Sequence, residues 1–95
     1  MKILALEKEI QGVKDSDYTP FLEAEARKVW ELQQQGLIRE MYFTDEQYAV
    51  LVLEAKDRTH AREIVEQLPL VQQKLIDFDF LTLNAYPGFA RLFKS

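Results

Sequence analysis

All glycines and prolines of this chain fall between runs of apolar residues. They are Gly12, Pro20, Gly36, Pro69, Pro87 and Gly88. Because glycine and proline interrupt helices and strands, these positions mark where one element ends and the next begins. They divide the chain into segments whose apolar residues recur with the spacing of strands or of helices. A chain of 95 residues has the length of one domain, so we expect a single domain over residues 1–95.

The segments read strand, helix, strand, strand, helix, strand. Strands are expected at residues 3–9, 37–43, 48–55 and 76–83. Helices are expected from Thr19-Pro20 to Gly36 and from Asp57 or Thr59 to Pro69. This order is that of the split-βαβ plan. The sequence therefore predicts an α+β, ferredoxin-like βαββαβ fold, with a four-stranded antiparallel sheet and two helices on one face.

Two of the four predicted strands are apolar on both sides. The stretches 3–6 and 49–53 contain no polar residue, whereas the second and fourth strands carry charges such as Arg39 and Asp77. Unbroken apolar runs are typical of strands that are covered on both faces. We therefore expect the first and third strands at the centre of the sheet, in the order 4-1-3-2.

The predicted sheet has one apolar face more than its helices can cover. Two helices cover a single face, and a large exposed apolar patch is rare on a monomer. We therefore expect a homodimer or a larger homo-oligomer, in which two sheets pack face to face as a dimeric α/β barrel. A tail at residues 86–95 contributes the apolar residues Tyr86, Phe89, Leu92 and Phe93. We expect this tail to cross to a neighbouring subunit, with folding back over its own sheet as the alternative.

The composition excludes several classes of function. The formal net charge is −4 and the basic residues are scattered, so nucleic acid is not an expected partner. The chain has no cysteine, which excludes disulfides, thiolate metal sites and cysteine nucleophiles. With one histidine and no glycine-rich phosphate loop, we expect neither a metal nor a cofactor. The first apolar run is too short for a signal peptide or a membrane span, so we expect no membrane contact and a cytoplasmic protein.

Two ordered sets of residues resemble a known family. They are Glu25, Leu32, Gly36 and Arg39, followed by Leu68-Pro69-Leu70, Ile76-Asp77-Phe78 and Pro87. Across nearly the whole chain, this arrangement resembles the muconolactone isomerase-like group of dimeric α/β-barrel proteins. The resemblance implies a ferredoxin-like subunit that pairs through its sheets, with a pocket between sheet and helices near a subunit interface.

The same resemblance implies a type of reaction. True isomerases of this group move a proton along an unsaturated lactone. The present chain departs from them at two places: the strand after Gly36 lacks tryptophan, and no histidine precedes Pro87. The isomerase activity is therefore an expectation that comes from the resemblance alone.

The pair Glu25 and Arg39 is the first candidate for catalysis. A proton shift beside a carbonyl needs a base near the carbon acid and a group that stabilises the developing enolate. If both residues face one pocket, Glu25 would move the proton and Arg39 would hold a carboxylate or enolate. The alternative is an exposed ion pair, which contributes little to stability.

Three further residues are candidates for the site. Histidine side chains can act in acid–base catalysis, but His60 lies in the first turn of the predicted second helix, where side chains are usually exposed. Trp30 and Tyr42 are candidates for binding a flat ligand. The alternative is that they belong to the core or to an interface, as aromatic residues of a small α/β domain more often do.

The sequence leaves three functions open. The first is a small cofactor-independent isomerase-like enzyme that acts on an unsaturated acid or lactone by proton transfer. The second is a non-catalytic module that binds a small ligand, and the third is a module that docks onto another protein. A pocket that holds Glu25 or His60 beside Arg39 would favour catalysis, a purely apolar pocket would favour binding, and the absence of a pocket would favour docking.

Overall fold

The computed structural model describes residues 1–93, so the last two residues of the tail predicted at 86–95 lie outside it. Its strands are β1 (Lys2–Glu9), β2 (Ile38–Phe43), β3 (Ala49–Glu54) and β4 (Ile76–Leu83). Its α-helices are α1 (Asp15–Tyr18), α2 (Leu22–Gln34), α3 (Arg58–Val65) and α4 (Pro69–Gln72), and 3₁₀ turns lie at Thr19–Phe21 and Gly88–Phe93. The architecture is α+β with a four-stranded antiparallel sheet, and it is compatible with a ferredoxin-like fold.

The sheet has the order β2-β3-β1-β4, with each neighbouring pair antiparallel. The two strands with unbroken apolar runs are therefore the central ones. Side chains alternate between the two faces of a strand. In β1, Ile3, Ala5 and Glu7 lie on the face that the helices cover, whereas Leu4 and Leu6 lie on the opposite face.

The first long helix begins later than the sequence predicts. Thr19 and Pro20 form a 3₁₀ turn, and α2 starts at Leu22 without a side-chain cap. The segment before this turn forms the short helix α1, which the sequence does not predict. The Asp17 carboxylate accepts the Lys14 N–H at 2.8 Å and so closes the first turn of α1. The hydrogen bond between Lys14 and Asp17 starts a helical turn before Thr19, and it thus competes with the N-cap that Thr19 would provide for the first long helix.

The end of α2 follows the prediction. Gly36 has a φ of 79°, the left-handed conformation that glycine adopts without steric cost. The N–H of Leu37 donates to the carbonyl of Leu32 at 3.0 Å, and the N–H of Gly36 donates to the carbonyl of Gln33 at 3.0 Å. This Schellman arrangement ends the helix and turns the chain into β2.

The second helical segment is divided in two. Asp57 caps α3, because its Oδ1 accepts the His60 N–H at 2.7 Å. The helix stops at Val65, and Leu68 is extended. The prediction that Pro69 ends this helix is wrong, since Pro69 is the first residue of α4. Proline fits that position because the first helical N–H needs no partner within the helix.

The core lies between the sheet and the helices. Its largest fully buried side chains are Phe78, Ile3, Leu32, Ile38, Leu53 and Ile64. No helix of the described residues covers the other face of the sheet, where Leu81 remains 51% exposed. In the tail, Phe89, Leu92 and Phe93 are also exposed.

Candidate functional site

A cleft of about 570 Å³ opens between α2 and the sheet. Its walls are mainly apolar and include Leu22, Val29, Met41, Leu51, Leu70 and Phe78. Sites for small molecules typically have volumes of roughly 300–1,000 Å³. The cleft therefore has the size and the lining of a ligand site.

The cleft exists because small or charged side chains occupy positions where a packed core needs large apolar ones. On α2, Glu25 and Ala26 line the cleft, and on the sheet Glu7 and Ala49 lie across from them. Of the residues of α2, only Leu32 is fully buried. These small and charged side chains leave the space between α2 and the sheet unfilled at this end.

Two carboxyl groups, those of Glu7 and Glu25, lie in the cleft. The β1–β3 pairing stops at Leu6, and beyond it the Glu7 Oε1 accepts the N–H of Ala49 at 2.8 Å. The Glu25 Oε1 accepts the N–H of Leu70, in the first turn of α4, at 2.9 Å. Backbone donors of β3 and α4 therefore hold both carboxyl groups in place.

Burial is the main influence on both carboxyl groups. It raises the pKa of Glu7 above its ordinary value, and the hydrogen bond from Ala49 opposes this effect. Burial also raises the pKa of Glu25, the hydrogen bond from Leu70 opposes it, and the negative charge of Glu7 raises it further. The charge of Glu7 therefore disfavours ionisation of Glu25.

Aromatic side chains form the rim of the cleft. Trp30 and Tyr42 both line it, with 61% and 58% of their surface exposed, and Phe43 joins them. Tyr42 alternates with Met41 along β2, so its ring lies on the opposite face and meets the cleft at the edge of the sheet. Its hydroxyl donates to the Glu40 Oε1 at 2.8 Å. The structure thus brings Glu25, Trp30 and Tyr42 to one cleft, as candidates for the site.

The other two candidates, Arg39 and His60, do not line this cleft. Arg39 is exposed near the start of β2, where it adds to the effect of the N-terminal amine in lowering the pKa of Glu54. His60 lies in the first turn of α3, and its Nδ1 accepts the N–H of Lys56 at 2.9 Å. Among the described residues, neither Glu25 nor His60 lies in this cleft beside Arg39.

The cleft contains acid–base groups but no cationic side chain. Glu7 and Glu25 are the only charged residues among the described ones that line it. Within residues 1–93, no group of three or more metal-ligating side chains is placed to hold an ion. A carboxylate whose pKa is raised by burial is suited to move protons near neutral pH, and a neutral carboxyl group beside it can donate a hydrogen bond.

Sequence reasoning missed Glu7. The apolar run that predicts β1 ends at Leu6, and Glu7 follows it within the predicted strand. The signal that could have found it is the alternation of side chains, because Ile3, Ala5 and Glu7 share one face. No such signal exists for the contact between Glu25 and Leu70, which lie 45 residues apart in the chain.

Comparison of the sequence with models of protein families gives no match, and comparison with curated proteins gives none either. Within the part of the chain that the structure describes, no helix combines the length and the apolar character that crossing a bilayer requires. The function is therefore argued from the geometry of the cleft.

Proposed function

We propose that the chain is a small cofactor-independent, isomerase-like enzyme that moves a proton within an unsaturated lactone or a similar neutral carbonyl compound. The observation that supports this is the pair Glu7 and Glu25, both in a mainly apolar cleft and both with a raised pKa. Of the two substrate classes that the sequence suggests, a lactone fits better than an acid. A carboxylate substrate would face two carboxyl groups and no cation.

The two carboxyl groups take different parts in this reaction. Because the charge of Glu7 raises the pKa of Glu25, we assign Glu7 as the ionised member and Glu25 as the neutral one. Glu7 removes a proton from the carbon beside the carbonyl, and Glu25 donates a hydrogen bond to the carbonyl oxygen, where negative charge develops. Glu7 then returns the proton to a carbon further along the conjugated system, so that the reaction has no net proton uptake. Glu25 here takes the stabilising role first expected of Arg39.

The test begins with a thermal-shift screen of unsaturated lactones, since a ligand of the native state raises the melting temperature. Turnover of each hit is then followed by the change in absorbance as the double bond moves. Glu7→Gln removes the base and is expected to lower kcat/KM by about 10²–10⁴-fold. Glu25→Gln is expected to lower it less, because the glutamine amide still donates a hydrogen bond.

Glu23→Gln is the matched control, because Glu23 lies on the same helix as Glu25 but is exposed and outside this cleft. It is expected to leave turnover unchanged. Full turnover in Glu7→Gln, with the fold intact by circular dichroism, would refute the assignment of Glu7 as the base.

A second candidate is a non-catalytic module that binds the same kind of ligand. The observation in its favour is that Glu7 and Glu25 each accept a backbone hydrogen bond, which is a structural role in itself. A compound that shifts the melting temperature but is never converted by the wild-type chain would support binding over catalysis.

We also propose that two copies of this ferredoxin-like subunit pack sheet to sheet as a dimeric α/β barrel. The apolar side chains that share the open face of the sheet are Leu4, Leu6, Val50, Val52, Leu81 and Leu83. Apart from Val52, which is 8% exposed, these side chains are partly or largely accessible, and they form a patch across β3, β1 and β4 of the kind that monomers rarely leave exposed. The exposed tail would lie against the neighbouring subunit in such an assembly.

The dimer is tested by sedimentation at micromolar concentration. Leu81→Asp is expected to yield a folded monomer, because Leu81 is 51% exposed in one subunit and belongs to the apolar patch of the proposed contact. Leu22→Asp is the matched control, since Leu22 is also 51% exposed but lies on α2, on the other side of the sheet. A monomeric wild-type protein would contradict the proposal, and so would a Leu81→Asp variant that remains dimeric.

A further inference from the structure

The charges around the cleft are unbalanced. Glu7 and Glu25 line it, and among the described residues no lysine, arginine or histidine does so. In each of the two carboxyl groups, Oε1 accepts a backbone N–H. No hydrogen bond from residues 1–93 reaches either Oε2. One oxygen of each group is thus available to a ligand.

Acidic residues nearby add to the same negative potential. Tyr18 lines the cleft, and burial is the main cause that raises its pKa. The negative charges of four nearby residues raise it further, and these are Glu7, Asp15, Glu9 and Asp17. The nearest lysine along β1, Lys8, is paired with aspartates of β4 rather than with the cleft. Because the low dielectric of an apolar cleft weakens screening, this end of the molecule favours a positive charge.

The walls and rim suit the body of an organic cation. The interior is mainly apolar, so a small inorganic ion would lose its water there without enough oxygen ligands to replace it. Trp30, Tyr18 and Phe43 line the cleft, and aromatic faces attract ammonium groups. An apolar body with one ammonium group would match both features.

From these features we propose that the cleft binds amphiphilic ammonium ions, with Glu7 and Glu25 as the counter-charges and the apolar wall around the body of the ligand. The positive charge of the bound ligand favours the ionised form of Glu25, which is the neutral member of the pair in the proton transfer proposed above. This inference goes beyond the proposed proton transfer and does not depend on turnover. A protonated amine would bind the two oxygens that have no partner in the protein, whereas a carboxylate of the same shape would be repelled.

The experiment compares three ligands of nearly the same shape: 2-phenylethylamine, 2-phenylethanol and phenylacetate. Their binding to the wild-type chain is measured by NMR titration at near-neutral pH and low salt. The amide signals of Ala49 and Leu70 report on the site, because these N–H groups donate to the two carboxyl groups. We expect the amine to bind at least about tenfold more tightly than the alcohol, because a hydrogen bond to a charged group increases affinity by about this factor. Phenylacetate is expected to show no binding.

The variants Glu7→Gln and Glu25→Gln assign the effect to the carboxyl groups. Each is expected to reduce the affinity for the amine by about tenfold while leaving that for the alcohol nearly unchanged. Glu23→Gln, on the outer side of α2, is expected to change neither. Circular dichroism checks that each variant folds, and the comparison of the three ligands on the wild-type chain stands even if one variant does not.

Three results would overturn the inference. The first is equal affinity for the amine and the alcohol, which would leave an apolar cleft without charge selection. The second is preferential binding of phenylacetate. The third is the absence of amine binding at this site, seen either as shifts confined to amides away from Ala49 and Leu70 or as no shifts at all.

Discussion

The α3 half of the helix layer packs closely on the sheet, whereas the α2 half encloses a cleft. Ala61, Ile64 and Val65 of the short helix α3 are each exposed by 1% or less. The longer helix α2 buries only Leu32 to this extent. The chain therefore gains stability mainly at one half of the layer and leaves space for a ligand at the other.

Arg62 adds to the close packing of the α3 half. Its guanidinium donates to the Asp77 Oδ1 at 2.6 Å and to the carbonyl of Phe78 at 3.3 Å, and it lies 4.8 Å above the ring of Phe80. Burial alone would raise the pKa of Asp77, but the hydrogen bonds and the charge of Arg62 outweigh it and lower this pKa. In the α2 half, no salt bridge within residues 1–93 involves the half-buried Glu7 and Glu25, and burial raises their pKa values instead.

The comparison is tested most strongly inside α2 itself, with Leu32→Ala and Trp30→Ala. Leu32 is fully buried, so its truncation is expected to lower the free energy of unfolding by about 2–5 kcal/mol. Trp30 is largely exposed at the rim, and its truncation is expected to cost less than about 1 kcal/mol. Urea denaturation followed by circular dichroism measures both. An equal loss would mean that the rim is part of the packed core.

The same substitution in each half sharpens the contrast. Val65→Ala, in α3, is expected to cost about 2 kcal/mol, because it removes buried methyl groups and leaves a cavity. Val29→Ala, in the wall of the cleft, is expected to cost less than about 1 kcal/mol, since the space beside it is already open. If Val29→Ala proved the more costly of the two, the α2 half would be packed after all.

The contribution of Arg62 is expected to be smaller. Arg62→Ala removes a partly exposed ion pair and a stacking contact, and we expect a loss of about 1 kcal/mol. Arg27→Ala is the control, because the Arg27–Glu23 pair on α2 is exposed and contributes about 0.3 kcal/mol. Thermal or urea unfolding distinguishes them, and identical losses would show that Arg62 does not join α3 to β4.

The pH dependence of stability is the subtlest test. Burial raises the pKa of Glu25 above its ordinary value of 4.5, so its protonated form stabilises the fold, and this stabilisation is lost as the pH rises through the folded pKa. Glu25→Gln does not titrate. We therefore expect its stability relative to the wild type to increase from acidic to neutral pH.

Asp77 does not confound this measurement. The pKa of Asp77 is lowered, so the stability that its ionised form contributes is fully present above its ordinary pKa of 3.8. This stability is lost only as the pH falls below that value. The free energy of unfolding of both proteins is measured across the range between the ordinary Glu value and neutrality. A constant difference between the two would contradict a raised pKa of Glu25.

Much of the fold could be predicted because its signals lie within short stretches of sequence. The left-handed Gly36 ended α2, and the apolar runs of β1 and β3 marked the central strands. The start of α2 and the role of Pro69 were not predicted. At both places two local hydrogen-bonding arrangements compete, and helix propensity does not show which of them is the more stable. Of the candidate site, Glu25, Trp30 and Tyr42 line the cleft, while Arg39 and His60 lie elsewhere.

By itself, the sequence determined the order of the elements and which strands are central, since helical and strand periodicity depend only on near neighbours. Only the tertiary structure decided that Glu7 of β1 and Glu25 of α2 share one cleft, held by the N–H groups of Ala49 and Leu70. That meeting depends on how far α2 stands from the sheet. This separation follows from the volumes of side chains that are distant in the chain, which no local pattern records.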